Sequence, residues 1–321
     1  MKSNPFKFQN VNRIKFAVIV LLSSTLFSLT SCDKDDTTDE PAAQTITDIV
    51  VAGADFTLLE AAVVRAGLAE ALKTGTLTVF APTDAAFKAA GFADAAAINA
   101  APVATLQSIL QYHVVGRRIA AADIPTAANT MVQTLSNGNV YVTKDASGVS
   151  VNGARVTQAD VSAANGVIHV INKVLIPPTQ NIVQIAQGNP NLSLLVAAVT
   201  RGGAPVLDAL TAAGPLTVLA PTNAAFQAAG FADVAAINAA PVATLTSVLT
   251  YHAIPARAFS TNLTNGATIT TAQGGTITSN VSATGVSFLG KGNGNQVANV
   301  TSADIVATNG VVHVIDRVLL P

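Results

Sequence analysis

Four histidines, one cysteine and the residues that follow Pro-Thr in two places are the side chains whose types suit acid–base, nucleophilic or ligating chemistry. The histidines form two equivalent pairs, His113 with His252 and His169 with His313. In Val167-Ile168-His169-Val170-Ile171 the imidazole shares a strand face with Val167 and Ile171, and the opposite face is apolar too. Such a histidine reads as a hydrogen-bonded core residue rather than a metal ligand. His113 and His252 each follow a tyrosine, Tyr112 and Tyr251. A recognition role and a structural role both suit these Tyr-His pairs, and structure is favoured. Asp84 and Asn223 occupy equivalent positions after Pro-Thr. A catalytic carboxylate would lose its site on replacement by an amide, whereas a helix cap accepts either, so capping is the better account. No Gly-x-Ser-x-Gly turn is present to pose a nucleophile. Gly290-Lys291-Gly292-Asn293-Gly294-Asn295 has the glycines of a phosphate loop, but its lysine lacks a following Ser or Thr and no helical pattern comes next. It reads as a hairpin loop. The expectation is a protein that is not an enzyme and uses no cofactor or metal.

Composition narrows the class. Of 321 residues 50% are hydrophobic and 11% charged, which excludes disorder over most of the length. The net charge of −1 conceals an asymmetry, because Lys2, Lys7, Arg13 and Lys15 precede residue 32 and no acidic residue does. No basic run is interleaved with aromatics, so nucleic acid is excluded as a partner. A single cysteine excludes a disulfide framework and any Cys-based zinc or iron–sulfur site.

That cysteine follows a leader. Phe16 to Leu29 is a fourteen-residue apolar stretch behind the four positive charges, shorter than the ~20 residues a bilayer core needs. Leu29-Thr30-Ser31-Cys32 resembles the lipobox of bacterial lipoproteins, which implies that Cys32 carries the lipid. Two or three acyl chains hold a protein on a membrane where one alone would dissociate. The acidic stretch from Asp33 to Glu40 has no large apolar residue and reads as a solvated tether. Its Lys34-Asp35-Asp36 is similar to the export signal that sends lipoproteins of Bacteroidetes-type bacteria to the outer face of the outer membrane. A periplasm-facing location is the alternative.

The elements that position the histidines occur twice. Thr78-Val79-Phe80-Ala81-Pro82-Thr83-Asp84-Ala85-Ala86-Phe87 returns at an offset of 139 as Thr217-Val218-Leu219-Ala220-Pro221-Thr222-Asn223-Ala224-Ala225-Phe226, and so do the Tyr-His pairs. Upstream the offset is 136, placing an insertion near Gly202-Gly203-Ala204-Pro205. Asn165-Gly166-Val167-Ile168-His169 returns at 144 as Asn309-Gly310-Val311-Val312-His313, placing extra residues in the glycine-rich loops of the second copy. A period near 140 is domain-sized, so this is a tandem duplication. Within a copy, Leu58, Leu59, Ala62, Val63 and Ala66 form a helical stripe with Thr57-Leu58-Leu59-Glu60 as a candidate capping box. Thr76 to Ala81 is a strand, Thr83 or Asp84 caps a short helix that Gly91 ends, and a further helix starts near Pro102. Strands follow at Thr130–Leu135, Val140–Thr143, Val149–Val151 and Val167–Ile176. Helices first and strands second argue α+β.

The TVFAPTDAAF segment, the Tyr-His pair and the closing NGVIHVINKVLIPP together resemble the fasciclin (FAS1) domain, over roughly residues 45 to 321. The resemblance implies an α+β fold of two tandem domains, each a β-sheet wedge with helices packed along one edge. The organisation expected is a leader over 1–31, a lipidated Cys32 with its tether over 32–44, and domains over 45–178 and 181–321. It also implies a cell-surface lipoprotein that works in cell adhesion or extracellular-matrix and biofilm contact, with a surface protein or polysaccharide as partner. Glycan or small-ligand binding is the alternative, which the absence of Trp and the presence of only three Tyr disfavour. In animal members the Tyr-His pair is credited both with integrin contact and with holding the local fold.

Overall fold

Short helices need caps and a curled sheet needs breaks, and both are written into the repeated motifs. Thr83 sits at extended φ and ψ and its hydroxyl accepts from the Ala86 amide, so the chain leaves the strand at Pro82 and turns directly into a helix. Asp94 caps the next one by accepting from the Ala97 amide at 2.8 Å. The computed structural model describes residues 43–321; Cys32 and the tether up to residue 42 lie outside the described residues.

In the first half the helices are α1 (Ile46–Ala52), α2 (Thr57–Ala66), α3 (Asp84–Ala89), α4 (Ala95–Ala100) and α5 (Val103–Tyr112). Its strands are β1 (Leu77–Pro82), β2 (Val114–Val115), β3 (Thr130–Gln133), β4 (Asn139–Asp145), β5 (Gly148–Val151), β6 (Ala154–Ala163) and β7 (Gly166–Ile171). The second half repeats the order with α6 (Ile182–Gln187), α7 (Ser193–Gly202), α8 (Ala204–Thr211), α9 (Asn223–Ala228), α10 (Val234–Ala239) and α11 (Val242–Tyr251). Its strands are β8 (Leu216–Pro221), β9 (Ala253–Ile254), β10 (Ala267–Thr270), β11 (Thr276–Ser282), β12 (Gly285–Gly290), β13 (Ala298–Ala307) and β14 (Gly310–Ile315).

Each half is one seven-stranded sheet, ordered β2-β1-β7-β6-β5-β4-β3 and β9-β8-β14-β13-β12-β11-β10. Only β1 with β7 and β8 with β14 run parallel. Those two central strands are buried on both faces in the first half, as a parallel pair requires. Val79, Ala81 and Ile168 pack under α1, α2 and α5, while Phe80 and Ile171 point into a second core enclosed by the curled remainder of the sheet. The fold is thus two α+β domains in tandem, each a sheet with helices against one side. Every fully buried side-chain polar atom among the described residues has a partner. Residues 43–321 form one compact unit, and each half closes its own core, so this segment carries what it needs to fold.

The two halves meet through specific polar groups. The Asp304 carboxylate accepts from the Ser260 amide and hydroxyl, both at 2.6 Å, and from Lys173 of the first half at 2.8 Å. The Arg257 guanidinium lies 3.9 Å from the centre of the Tyr141 ring. Asn129 donates to the Arg257 carbonyl at 2.6 Å and accepts from Asn262 at 3.0 Å.

Several expectations need correction. Thr57–Glu60 makes no capping box, because Phe56 takes the cap position without a side-chain bond. The strand expected over Val167–Ile176 is Gly166–Ile171, and α1, α4 and the ten-residue β6 were not anticipated. The β6 strand hides because its register shifts twice against β7 and Asp160 adopts φ 58°, which breaks the alternation that marks a strand. The insertion near Gly203 is not a loop alone: after the break at Gly203 the chain forms α8, where the first half has only a 3-10 turn over Ala71–Lys73.

Candidate functional site

The repeated motifs converge on the Tyr-His pair at the end of α5. This helix starts after Pro102, buries Leu106, Ile109 and Leu110, and delivers Tyr112 to the sheet core and His113 to its own cap position. His113 is 2% exposed. Its Nδ1–H donates to the Ile109 carbonyl at 2.8 Å, one turn back, and its Nε2 accepts from the Leu175 amide at 2.9 Å. Those two bonds fix the tautomer and use both nitrogens. Burial pushes the imidazole down to about 4, so the ring is neutral at physiological pH. His252 repeats the arrangement with the Val248 carbonyl and the Leu319 amide, and burial pushes it down to about 4 as well.

Tyr112 is fully buried and its hydroxyl donates to the Asn139 carbonyl at 2.7 Å while accepting from Asn152 at 3.0 Å. Desolvation pushes its phenol up to about 12, so it remains a donor. Tyr251 donates to the Thr276 carbonyl and accepts from the Lys291 amide, which belongs to the inserted glycine-rich segment. That segment, expected as a hairpin loop, contains a 3-10 turn over Lys291–Asn293 between β12 and β13.

The second histidine pair is a tie of the opposite tautomer. His169 Nε2–H donates to the Ile119 carbonyl at 2.9 Å and its Nδ1 accepts from the Asp160 amide at 3.3 Å. His313 does the same with Ala258 and Asp304, and burial lowers its pKa. All four rings are buried and all eight ring nitrogens face a backbone group. This arrangement clamps loops to the sheet and leaves no imidazole nitrogen for a substrate proton or a metal.

Asp84 and Asn223 are caps, but not of the helices they begin. The Asp84 carboxylate accepts from the Leu58 amide at 2.8 Å and the Thr57 hydroxyl at 2.6 Å, capping α2 from across the fold. Asn223 accepts from the Leu194 amide at 2.9 Å and uses its extra N–H to reach the Pro190 carbonyl at 3.0 Å. The helices α3 and α9 are capped by Thr83 and Thr222 instead.

Two residues of the repeated motif, Asn165 and Asn309, carry ties that the sequence did not assign to them. Asn165 accepts from the Ile46 amide and donates to the Leu72 carbonyl, joining α1 to the sheet; Asn309 does this for Ile182 and Leu210. At the next position, Gly166 and Gly310, a Cβ would overlap the carbonyls of Leu77 and Leu216. The repeated Asn-Gly-Val was the available signal for both.

A fasciclin-domain family model matches residues 54–177 and again 190–321. The chain belongs to the fasciclin family. Over 252 residues it is 32% identical to the transforming growth factor-beta-induced protein ig-h3 of Sus scrofa, covering 77% of this chain and 35% of that protein. It is also 40% identical over 147 residues to protein sll1483 of Synechocystis, covering 43% of this chain and 76% of that one. This fasciclin protein thus spans about a third of the length of the pig relative. A solved FAS1 domain pair from the insect cell adhesion molecule Fasciclin I aligns with 82% of the chain and 96% of the pair, at 19% identity and a TM-score of 0.41.

Proposed function

We propose that this protein is a surface contact protein, serving adhesion or matrix and biofilm cohesion, held on the outer face of a bacterial outer membrane by acylated Cys32. The observation that carries the reading is the fasciclin domain present twice, filling nearly all of residues 43–321. Two domains tied through Asp304 and Arg257 present their loops in a fixed relation, so weak contacts on each add as avidity. On this reading the Tyr-His pairs Tyr112-His113 and Tyr251-His252 hold each domain together and touch no partner, and the protein acts by contact rather than reaction. Deleting the gene should reduce surface attachment or biofilm mass, and complementation should restore it. Protease added to intact cells should remove the protein. Radiolabelled palmitate should enter the wild type and not Cys32→Ser. Unchanged attachment in a strain that normally makes the protein abundantly would overturn the adhesion reading.

One observation favours neutral glycan as the partner. On the outer face of the second sheet, Thr268 lies opposite Thr278, Thr270 opposite Thr276, and Asn280 opposite Ser287. These rows of hydroxyls and amides carry no charge. A glycan array probed with residues 43–321 tests this, and reproducible binding to one neutral class would support it.

A further inference from the structure

Each domain holds a cavity under its first helices that the contact role does not use. In the first it measures about 310 Å³ and in the second about 290 Å³. Both lie at the same place in the fold, with Leu59, Val63 and Leu110 in one matched by Leu195, Val199 and Leu249 in the other. An apolar cavity of about 150 Å³ stays dry and admits benzene. Twice that volume gives room for roughly a dozen carbon atoms on the same scale. The one histidine in each wall already spends both nitrogens on the backbone and offers nothing to a ligand.

The mouths are apolar like the interiors, although different elements form them. Leu207 at one opening is 40% exposed and Leu135 at the other 48%, so apolar surface continues from the cavity to solvent. One carboxamide stands in each wall as well, Gln187 and Gln111, and neither has a hydrogen-bond partner among the described residues. No Lys, Arg, Asp or Glu lines either cavity. A carboxylate or phosphate entering with a chain would meet no countercharge, whereas an uncharged hydroxyl head would meet an amide.

We propose that each domain binds one single-chain amphiphile of about a dozen carbons with an uncharged, hydroxyl-bearing head, such as a monoacylglycerol or fatty alcohol. The chain lies among Leu59, Val63 and Leu110 or their equivalents, and the head stays at the glutamine. Residues 43–321 are titrated with the neutral fluorophore N-phenyl-1-naphthylamine, then with 1-monododecanoylglycerol or dodecanoate below their aggregation concentrations. The expected result is brightening that saturates at two probes per chain, reversed by the glycerol ester at a concentration at least tenfold lower than by dodecanoate. Filling one cavity with Val199→Phe should remove one of the two sites, and Val63→Phe the other. Should a phenylalanine variant fail to fold, Leu207→Gln at the rim should weaken the second site severalfold with melting unchanged. Absence of brightening, equal displacement by dodecanoate, or two sites persisting in a folded Val199→Phe would overturn the proposal, as would a rim variant that binds like wild type.

Discussion

Acid should destabilise this protein well above the pH at which its carboxylates protonate, because His113 and His252 are held neutral inside it. Burial pushes both imidazoles down to about 4, while an exposed imidazole in the unfolded chain titrates near ~6.5. Between those values the unfolded state binds a proton that the native state refuses. Stability is therefore full above about 6.5, falls as pH drops, and levels off below about 4. The geometric cause is plain: Nε2 of His113 already accepts from the Leu175 amide at 2.9 Å, so an added proton would face another N–H. With one pKa unit worth about 1.4 kcal/mol, moving from pH 7 to pH 5 removes about 2 kcal/mol from each domain. Against a typical domain stability of roughly 5–15 kcal/mol that loss is large. His313, lowered by burial too, adds in the same direction. Urea unfolding of residues 43–321 at pH 5, 6 and 7, with proton uptake measured by calorimetry in two buffers, reads the effect. Uptake should approach one proton or more per domain near pH 5. His113→Asn keeps an amide donor for the Ile109 carbonyl and deletes the titration, so the first domain should be weaker at pH 7 yet flatter in pH. Coincident urea midpoints at pH 5 and 7 would refute the reasoning.

The remote caps give a graded test: Asp84→Ala should cost about 1–2 kcal/mol in a thermal melt, while Asp84→Asn should cost only a fraction of that, since Asn223 does the same work in the second domain. Gly166→Ala should be among the most damaging single changes, roughly 3 kcal/mol or more, because the added methyl must displace the Leu77 carbonyl inside the central parallel pair; loss of cooperative unfolding by circular dichroism checks it. At the junction, Asp304→Ala strips Ser260 of two acceptors and Lys173 of its partner. It should cost about 1–3 kcal/mol and separate the two domains' calorimetric transitions, most of it from the buried bonds because Lys173 is half-exposed; a single transition unchanged in midpoint would count against a coupled junction.

Legibility in the sequence followed how local each interaction is. The stripe of Leu58, Leu59, Ala62, Val63 and Ala66 gave α2, and all five are buried as its period demands. Pro82-Thr83 gave a strand end and a cap three residues long. The Asp84 cap did not read correctly because its partner, Leu58, is 26 residues upstream, and a sequence shows an acceptor but not the donor that folds against it. The histidines read as core residues from the apolar neighbours on either side, yet their partners Leu175, Ile119 and Asp160 lie 62, 50 and 9 positions away. The β6 strand was illegible for a third reason: a bulged strand with polar residues has no period to detect.

Duplication supplies a way to separate what the fold requires from what each domain adds. Several polar positions identical in both copies are backbone ties: Thr78 and Thr217 each bridge a carbonyl and an amide, and so do His113 with His252 and Asn165 with Asn309. Asp160 and Asp304 are equivalent in backbone, both at positive φ with the amide on a histidine, but only Asp304 reaches across to the other domain. It can do so because Gly153 opposite it has no Cβ, which would overlap the carboxylate, and because Ser260 supplies two donors where the first domain has Ala121. The copies therefore diverged at the surface where they meet while keeping the ties that shape each one. By the same logic the outward rows of Thr268, Thr270, Thr276 and Thr278 occupy the face that in the first domain carries Tyr141 against Phe259. A surface freed from packing on a neighbour and rebuilt in hydroxyls is where substitutions should alter partner binding without altering stability.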